Sequence, residues 1–246
     1  MREIVIAYCG QAAVPAELWS RWNTDPLLIA VLLGLALALA SGRAQNRRAG
    51  WGALALLALV FISPLCALSS ALFSARVLHH VLLVAAIAPL LALAWPAKRV
   101  GNPAMAALIA LHTGAMWLWH APGPYSFALA SVPAYWLMQL SLLASAWLLW
   151  RAVLAPATTG GMAFMGLGAT IAQMGLLGAL LVFAPRPLYG EHLASTAAWG
   201  LSPLADQQLA GLLMWVPAML PYVAVALTLA WRNLRGPVLT TSSQAS

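Results

Sequence analysis

The fold is decided by the stretch Ser74-Ala-Arg76-Val-Leu-His79-His80-Val-Leu-Leu-Val-Ala-Ala-Ile-Ala-Pro89, an apolar run that opens with one arginine and two adjacent histidines. An apolar run of this length is typical of a helix that crosses a membrane. Ionisable side chains inside such a helix are costly to bury and usually face the protein interior. Arg76, His79 and His80 are therefore candidate functional residues.

The composition of the whole chain predicts an integral membrane protein. Its 246 residues are 63% hydrophobic and only 7% charged. A soluble domain of this size could not cover its surface with so few charges. The formal net charge of +7 is typical of basic cytoplasmic loops that meet anionic membrane lipid. The sequence contains no basic stripe interleaved with aromatic residues, so we expect no nucleic-acid partner.

Hydropathy along the chain predicts one all-α domain of seven transmembrane helices in a single bundle. Each span must be helical, because lipid cannot hydrogen-bond an open backbone. The polar start of the chain lacks an apolar core followed by a small-residue cleavage site, so we expect no removable signal peptide. The predicted spans cover about residues 26–40, 51–68, 76–95, 103–120, 132–150, 161–184 and 206–231.

The distribution of basic residues predicts the orientation of the bundle. One side carries Arg43, Arg47, Arg48, Lys98, Arg99, Arg151, Arg232 and Arg235. The other side carries Arg2, Arg21, Arg76 and Arg186. The positive-inside rule therefore places the C-terminus in the cytoplasm and the N-terminus outside. With this orientation, the outer face holds His79, His80, His120, His192, Cys9 and Cys66.

The fourth predicted span contains a spacing that could bind metal. His112, Met116 and His120 follow an i, i+4, i+8 series and lie on one stripe of the helix, about 12 Å long. Imidazole and thioether are both copper ligands, and thioether favours the cuprous ion. The spacing therefore allows a ladder that leads a metal inward from the outer face. The alternative is that Met116 packs in the core and His112 hydrogen-bonds a neighbouring helix.

The cysteines have three readings. Cys9 and Cys66 share the predicted oxidising side, so they could form a disulfide, act as a pair of soft metal ligands, or remain separate thiols. Adjacent histidines cannot point the same way on a helix, so at most one of His79 and His80 joins an interior cluster.

The other ionisable candidates also have alternatives. Arg76 either reaches up to lipid phosphate or pairs with Asp206 across the outer rim. Asp206 stands at the predicted start of the last span, where a carboxylate caps a helix and favours its positive end. The sequence contains no nucleophile–base pair, phosphate-binding loop or acid pair, so we expect no enzymatic activity.

The last span carries the string Asp206-Gln-Gln-Leu-Ala-Gly-Leu-Leu-Met-Trp-Val-Pro217, which resembles the last-helix signature of the seven-span CtaG family of cytochrome c oxidase assembly factors. Further matching pieces follow the family's order from the third helix to the seventh. They are Phe73-Ser-Ala-Arg-Val-Leu-His-His80 with Ala88-Pro89-Leu-Leu, then Trp117-Leu-Trp-His120, then Phe183-Ala-Pro-Arg-Pro-Leu-Tyr189.

The resemblance implies a protein of the bacterial inner (plasma) membrane that lets copper reach a respiratory oxidase. It implies handling of cuprous copper from the periplasmic side, with oxidase subunits or other assembly factors as partners alongside membrane lipid. A haem-binding or electron-transfer protein that uses His80 and His120 as axial ligands is the alternative from another class. A copper permease is the third.

Individual residues can be carried over from the family pattern. His80 matches the second histidine of a helix-three His-x-x-x-His, and His120 matches the Trp-His histidine. The last-helix string corresponds to Asp206, Gln207, Gln208 and Met214.

The chain also departs from the family pattern. Arg76 replaces the first helix-three histidine, and Tyr135 and Gln139 replace a histidine pair near the start of the fifth helix. The full histidine cluster of the family is therefore absent. Substitute ligands would be His79 with His112, or Cys9 with Cys66; otherwise the protein keeps only a scaffold role.

Overall fold

The computed structural model describes residues 8–97 and 102–234, and every regular element within these ranges is a helix. The α-helices are α1 Pro26–Ala40, α2 Arg47–Ile62, α3 Leu65–Ala71, α4 Phe73–Val81, α5 Ala88–Ala94, α6 Asn102–His120, α7 Pro122–Ala130, α8 Val132–Val153, α9 Gly160–Phe183, α10 Pro203–Trp215 and α11 Leu220–Leu234. Short 3₁₀ turns occupy Pro15–Ser20, Gly190–His192, Thr196–Trp199 and Pro217–Met219. The prediction of an all-α protein is confirmed.

Several of these helices are long and apolar enough to cross a membrane. α2 and α3 add a further span if they are counted as one, although the chain bends by 48° between them. α1 is apolar but shorter than the other candidates. The total of seven spans and the orientation remain predictions. The four clear candidates are Phe73–Ala94, Val132–Val153, Gly160–Phe183 and Pro203–Leu234.

The bend between α2 and α3 falls inside the predicted span of residues 51–68. α2 ends before Ser63, which has an extended backbone, and Pro64 precedes the first residue of α3. Helical pairing cannot run through Pro64, because its nitrogen has no hydrogen to donate. The predicted second span is therefore two helices.

The third span, from α4 to α5, passes through Pro89 without such a break because it changes to π-helical pairing over Leu82–Ile87. In this pairing the carbonyl of Val84 would face the nitrogen of Pro89, which cannot donate. Trp150 Nε1 donates to Val84 O over 2.9 Å, and the Tyr222 hydroxyl does so over 3.4 Å. α8 and α11 thus satisfy the carbonyl that the proline leaves without a backbone donor.

Glycines let α9 and α10 approach closely. A Cβ atom added to Gly178 would lie 2.8 Å from the backbone oxygen of Gly211, and one added to Gly211 would lie 2.6 Å from the oxygen of Gly178. No real side chain fits at these distances. Membrane helices use small residues in this way because close backbone approach maximises van der Waals contact. α10 packs against α4 on another side, so this contact also positions α4.

We expect Gly178→Ala to destabilise the fold by about 2 kcal/mol, because the added methyl group meets backbone and the two helices must move apart. The measurement is thermal unfolding of the purified protein in detergent. Gly175→Ala is the matched control on the same helix, since a Cβ there meets nothing within 4 Å. Equal midpoints for the two variants would contradict the close contact.

Candidate metal centre

His80 on α4 and His120 at the end of α6 face each other inside the bundle. Their ring centroids are 5.6 Å apart, and the ring planes are nearly perpendicular at 82°. Both side chains are buried, with 2% and 4% of their surface exposed. The structure therefore brings together the two histidines that match the family pattern, although their metal-binding role stays a prediction.

Each of these imidazoles has a nitrogen without a protein partner among the described residues. His120 Nδ1 lies 2.7 Å from the backbone oxygen of Met116, so it carries the proton and donates to that oxygen. This leaves the lone pair of His120 Nε2 free. A ligating histidine typically donates its other nitrogen in this way, which fixes the tautomer and the ring orientation. His80 Nε2 lies 3.5 Å from the amide nitrogen of Gln139, and its Nδ1 has no partner.

The other two predicted histidine ligands make different contacts. The ring of His79 packs edge-on against Phe61 at 4.9 Å and lies 6.0 Å from the ring of His80, and both of its nitrogens are buried without a partner among the described residues. His112 Nδ1 lies 3.0 Å from the hydroxyl of Ser145 on α8, which is the interhelical hydrogen bond of the alternative reading. Among residues 8–97 and 102–234, no group of three or more His, Cys, Asp or Glu side chains is arranged to hold a metal ion.

Cys9 and Cys66 form a disulfide, which ties the segment before α1 to α3. This is the first of the three readings that the sequence left open. Neither sulfur is a thiolate in a disulfide, so the prediction that Cys9 and Cys66 act as a pair of soft metal ligands is wrong for this structure. The bond lies beside the polar interior, because Cys9 Sγ is 3.5 Å from the hydroxyl of Tyr135.

Arg76 is completely buried, with none of its surface exposed. Its guanidinium carbon lies 5.2 Å from the ring centroid of Tyr135, and its three nitrogens have no acceptor in good hydrogen-bond geometry within the described ranges. Neither sequence-based expectation holds: a buried arginine cannot reach lipid phosphate, and no ion pair joins it to Asp206. Arg76 instead places a positive charge close to both His79 and His80.

Asp206 caps a helix, but not its own. Its carboxylate accepts hydrogen bonds from the amides of Phe73 and Ser74 over 2.7 and 3.1 Å, and from the Ser74 hydroxyl. These groups begin α4, so the expectation that Asp206 caps the last span is wrong. The cap of α10 is Ser202, whose hydroxyl accepts from the amide of Ala205 over 3.1 Å. Asp206 therefore fixes the start of the helix that carries His80.

The rest of the last-helix string also positions neighbouring elements. Gln207 donates to Leu181 O over 3.2 Å and accepts from the amide of Leu188 over 2.7 Å. Gln208 donates to the backbone of α9, and Met214 is fully buried. These predicted functional residues thus hold α10 against α9 and its following loop, rather than lining the histidine pair.

Sequence reasoning missed a second layer of aromatic side chains over the site. The hydroxyl of Tyr189 donates to the backbone oxygen of His120 over 2.7 Å, and its ring stacks on Phe73 at 3.7 Å. Tyr125 OH lies 2.7 Å from His192 Nε2. Burial first, and then the nearby charge of Arg76, lowers the pKa of His192 to about 4. The Phe183–Tyr189 motif was the available signal for this layer.

Fold and site together define a multi-pass helical membrane protein with a buried, facing pair of histidines. The profile of the cytochrome c oxidase caa3 assembly factor family (Caa3_CtaG) matches residues 97–236, more than half of the chain. The chain belongs to this family, and the resemblance found in the sequence is confirmed. The match includes His120 and the last-helix string but begins after Arg76 and His80. No curated protein and no solved structure matches the chain.

Proposed function

We propose that this assembly factor supports maturation of a copper-containing cytochrome c oxidase by binding cuprous copper between His80 and His120. The observation that carries the proposal is the facing of these two buried rings at 5.6 Å. The hydrogen bond from His120 Nδ1 to Met116 O leaves the lone pair of His120 Nε2 available for a metal ion. Copper is the cargo in this proposal, and the protein acts without catalysis, as its family description favours.

The local charge supports cuprous over divalent copper. Two imidazoles supply no negative charge, and the described residues place no third histidine, cysteine or carboxylate in the group. Arg76 adds a nearby positive charge that repels a divalent ion twice as strongly as a monovalent one. Cuprous copper also accepts two-coordinate binding, whereas divalent copper seeks more ligands. Weak, reversible binding at such a site suits transfer to another protein.

The location of the site supports loading from the outer, periplasmic side of a bacterial inner membrane. His120 is the last residue of α6, and His80 is the eighth residue of the 22-residue span Phe73–Ala94, so both histidines lie in the same half of the bundle. The Cys9–Cys66 disulfide lies in that half too, and disulfides form and persist in oxidising compartments. The positive-inside rule favours the same orientation. Oxidase subunits or other assembly factors are then the recipients of the copper.

The direct test is copper binding by the purified protein under ascorbate, which keeps copper cuprous. We expect one copper per chain with nitrogen ligands by X-ray absorption, and none above background in the variant that combines His80→Ala with His120→Ala. His112→Ala is the matched control, because it removes a buried imidazole that lies eight residues before His120 on α6, about 12 Å along the helix. Copper retained by the double variant would refute the site, and a Soret absorbance band would support the haem alternative.

A further inference from the structure

An apolar groove of about 470 Å³ lies between α5 and the second half of α8. It is open on one side, and its walls are almost wholly hydrocarbon and indole. It ends at an arginine in the last turn of α8. This arginine is 12 residues beyond Gln139, the neighbour of His80, which corresponds to about 18 Å along the helix, and no histidine of the described ranges lines the groove. The lining residues are Leu91, Trp95, Leu140, Leu143, Ala144, Trp147 and Arg151.

The polar groups at the end of the groove are incompletely satisfied. The guanidinium of Arg151 lies over the ring of Trp147, 4.8 Å from its centroid. Its Nη2 donates to Pro96 O over a long 3.4 Å, while Arg151 Nε and Trp147 Nε1 are buried without an acceptor among the described residues. The one ion pair in those ranges joins Arg21 and Glu17, so the charge of Arg151 has no carboxylate partner there.

We propose that this groove binds an anionic phospholipid, with its phosphate at Arg151 and an acyl chain along the apolar wall. A phosphate supplies both the acceptor oxygens and the negative charge that the guanidinium lacks, and arginine matches phosphate geometry well. Arginine and tryptophan are typical at the depth of lipid headgroups. A wholly apolar helix of a partner protein would cover the apolar wall but would leave the charge of Arg151 uncompensated, and photocrosslinking from the groove distinguishes a partner helix from a lipid.

The test uses the full-length protein in detergent, titrated with dioleoyl-phosphatidylglycerol and, separately, with dioleoyl-phosphatidylcholine. Native mass spectrometry counts the bound lipid, and thermal unfolding reports its effect on stability. We expect the anionic lipid to bind more tightly and to raise the unfolding midpoint. Arg151→Gln should weaken its binding about tenfold, the usual effect of losing one charge-assisted hydrogen bond. Arg48→Gln, at an exposed arginine predicted on the same membrane side, should bind like the unaltered protein.

A second variant keeps the test decisive if Arg151→Gln folds poorly. Ala144→Phe adds bulk to the exposed part of the groove wall and leaves Arg151 in place, so it should also displace the lipid. Inorganic phosphate alone should produce no stabilisation, because it has no chain to occupy the groove. Equal affinity for the two lipids, or unchanged affinity in both variants, would overturn the proposal. Photocrosslinking from position 144 to another protein instead of lipid would overturn it as well.

Discussion

Replacing His120 with alanine should lower the copper content of the oxidase by more than about tenfold, and replacing His80 should do the same. Loss of an outer partner of a metal ligand already costs 10–100-fold in affinity, and loss of a ligand itself costs more. Each single variant removes one of only two nitrogens at the site. The measurements are copper content and activity of the oxidase in membranes of cells that carry each variant.

Combining the two substitutions gives the sharper result. The double variant should be little worse than either single variant, because ligands of one site act as a unit and their effects are not additive. Added external copper should partly restore the single variants by mass action. His112→Ala should leave the oxidase normal. Additive losses, reduced protein levels and no response to copper would show instead that the two rings only pack.

Replacing Asp206 with alanine should destabilise the protein by about 3 kcal/mol or more, since it leaves two buried amides of α4 without an acceptor. The carboxylate also accepts from the Ser74 hydroxyl, and it is buried together with its partners. We expect a large fall in folded protein in the membrane and a lower unfolding midpoint after purification. Loss of oxidase activity should follow the loss of protein.

Two variants distinguish the capping of α4 by Asp206 from a direct role of its charge in function. Asp206→Asn keeps one acceptor oxygen but loses the charge, so its stability should lie between those of alanine and aspartate. Ser202→Ala removes the cap of α10 itself and should cost about 1 kcal/mol. If Asp206→Ala were normally stable yet inactive, the carboxylate would have a direct role in copper transfer or partner binding.

Features that depend on local sequence could be predicted. The boundaries of α1 and the approximate positions of α6, α8 and α9 follow from hydropathy. The effect of each proline on its helix could not be predicted. Pro64 separates two helices, whereas the span that contains Pro89 continues through a π-helical segment. In that segment the carbonyl of Val84 accepts a hydrogen bond from Trp150, which is far away in the sequence. The short helix α7 was missed, because at nine residues it falls below the length of a span.

The candidate site shows the same division. The sequence identified His80 and His120, because position in a span and motif both mark them. It could not show that Asp206 caps a helix that starts more than 130 residues earlier. Nor could it show that Ser145 on α8 is the partner of His112 Nδ1. Such pairings are properties of the bundle as a whole, and residue spacing within one helix carries no information about them.

The bond between Cys9 and Cys66 closes α1, α2 and the loop that joins them into a covalent ring, whose two cysteines are 57 positions apart in the sequence. Ring closure of this size removes disorder from the unfolded chain equivalent to about 4 kcal/mol. A protease that cuts the exposed loop at Arg43 would open the ring without releasing either piece. The segment before α1, whose Tyr8 stacks on Tyr135 of α8, would stay tethered to α3 through the disulfide.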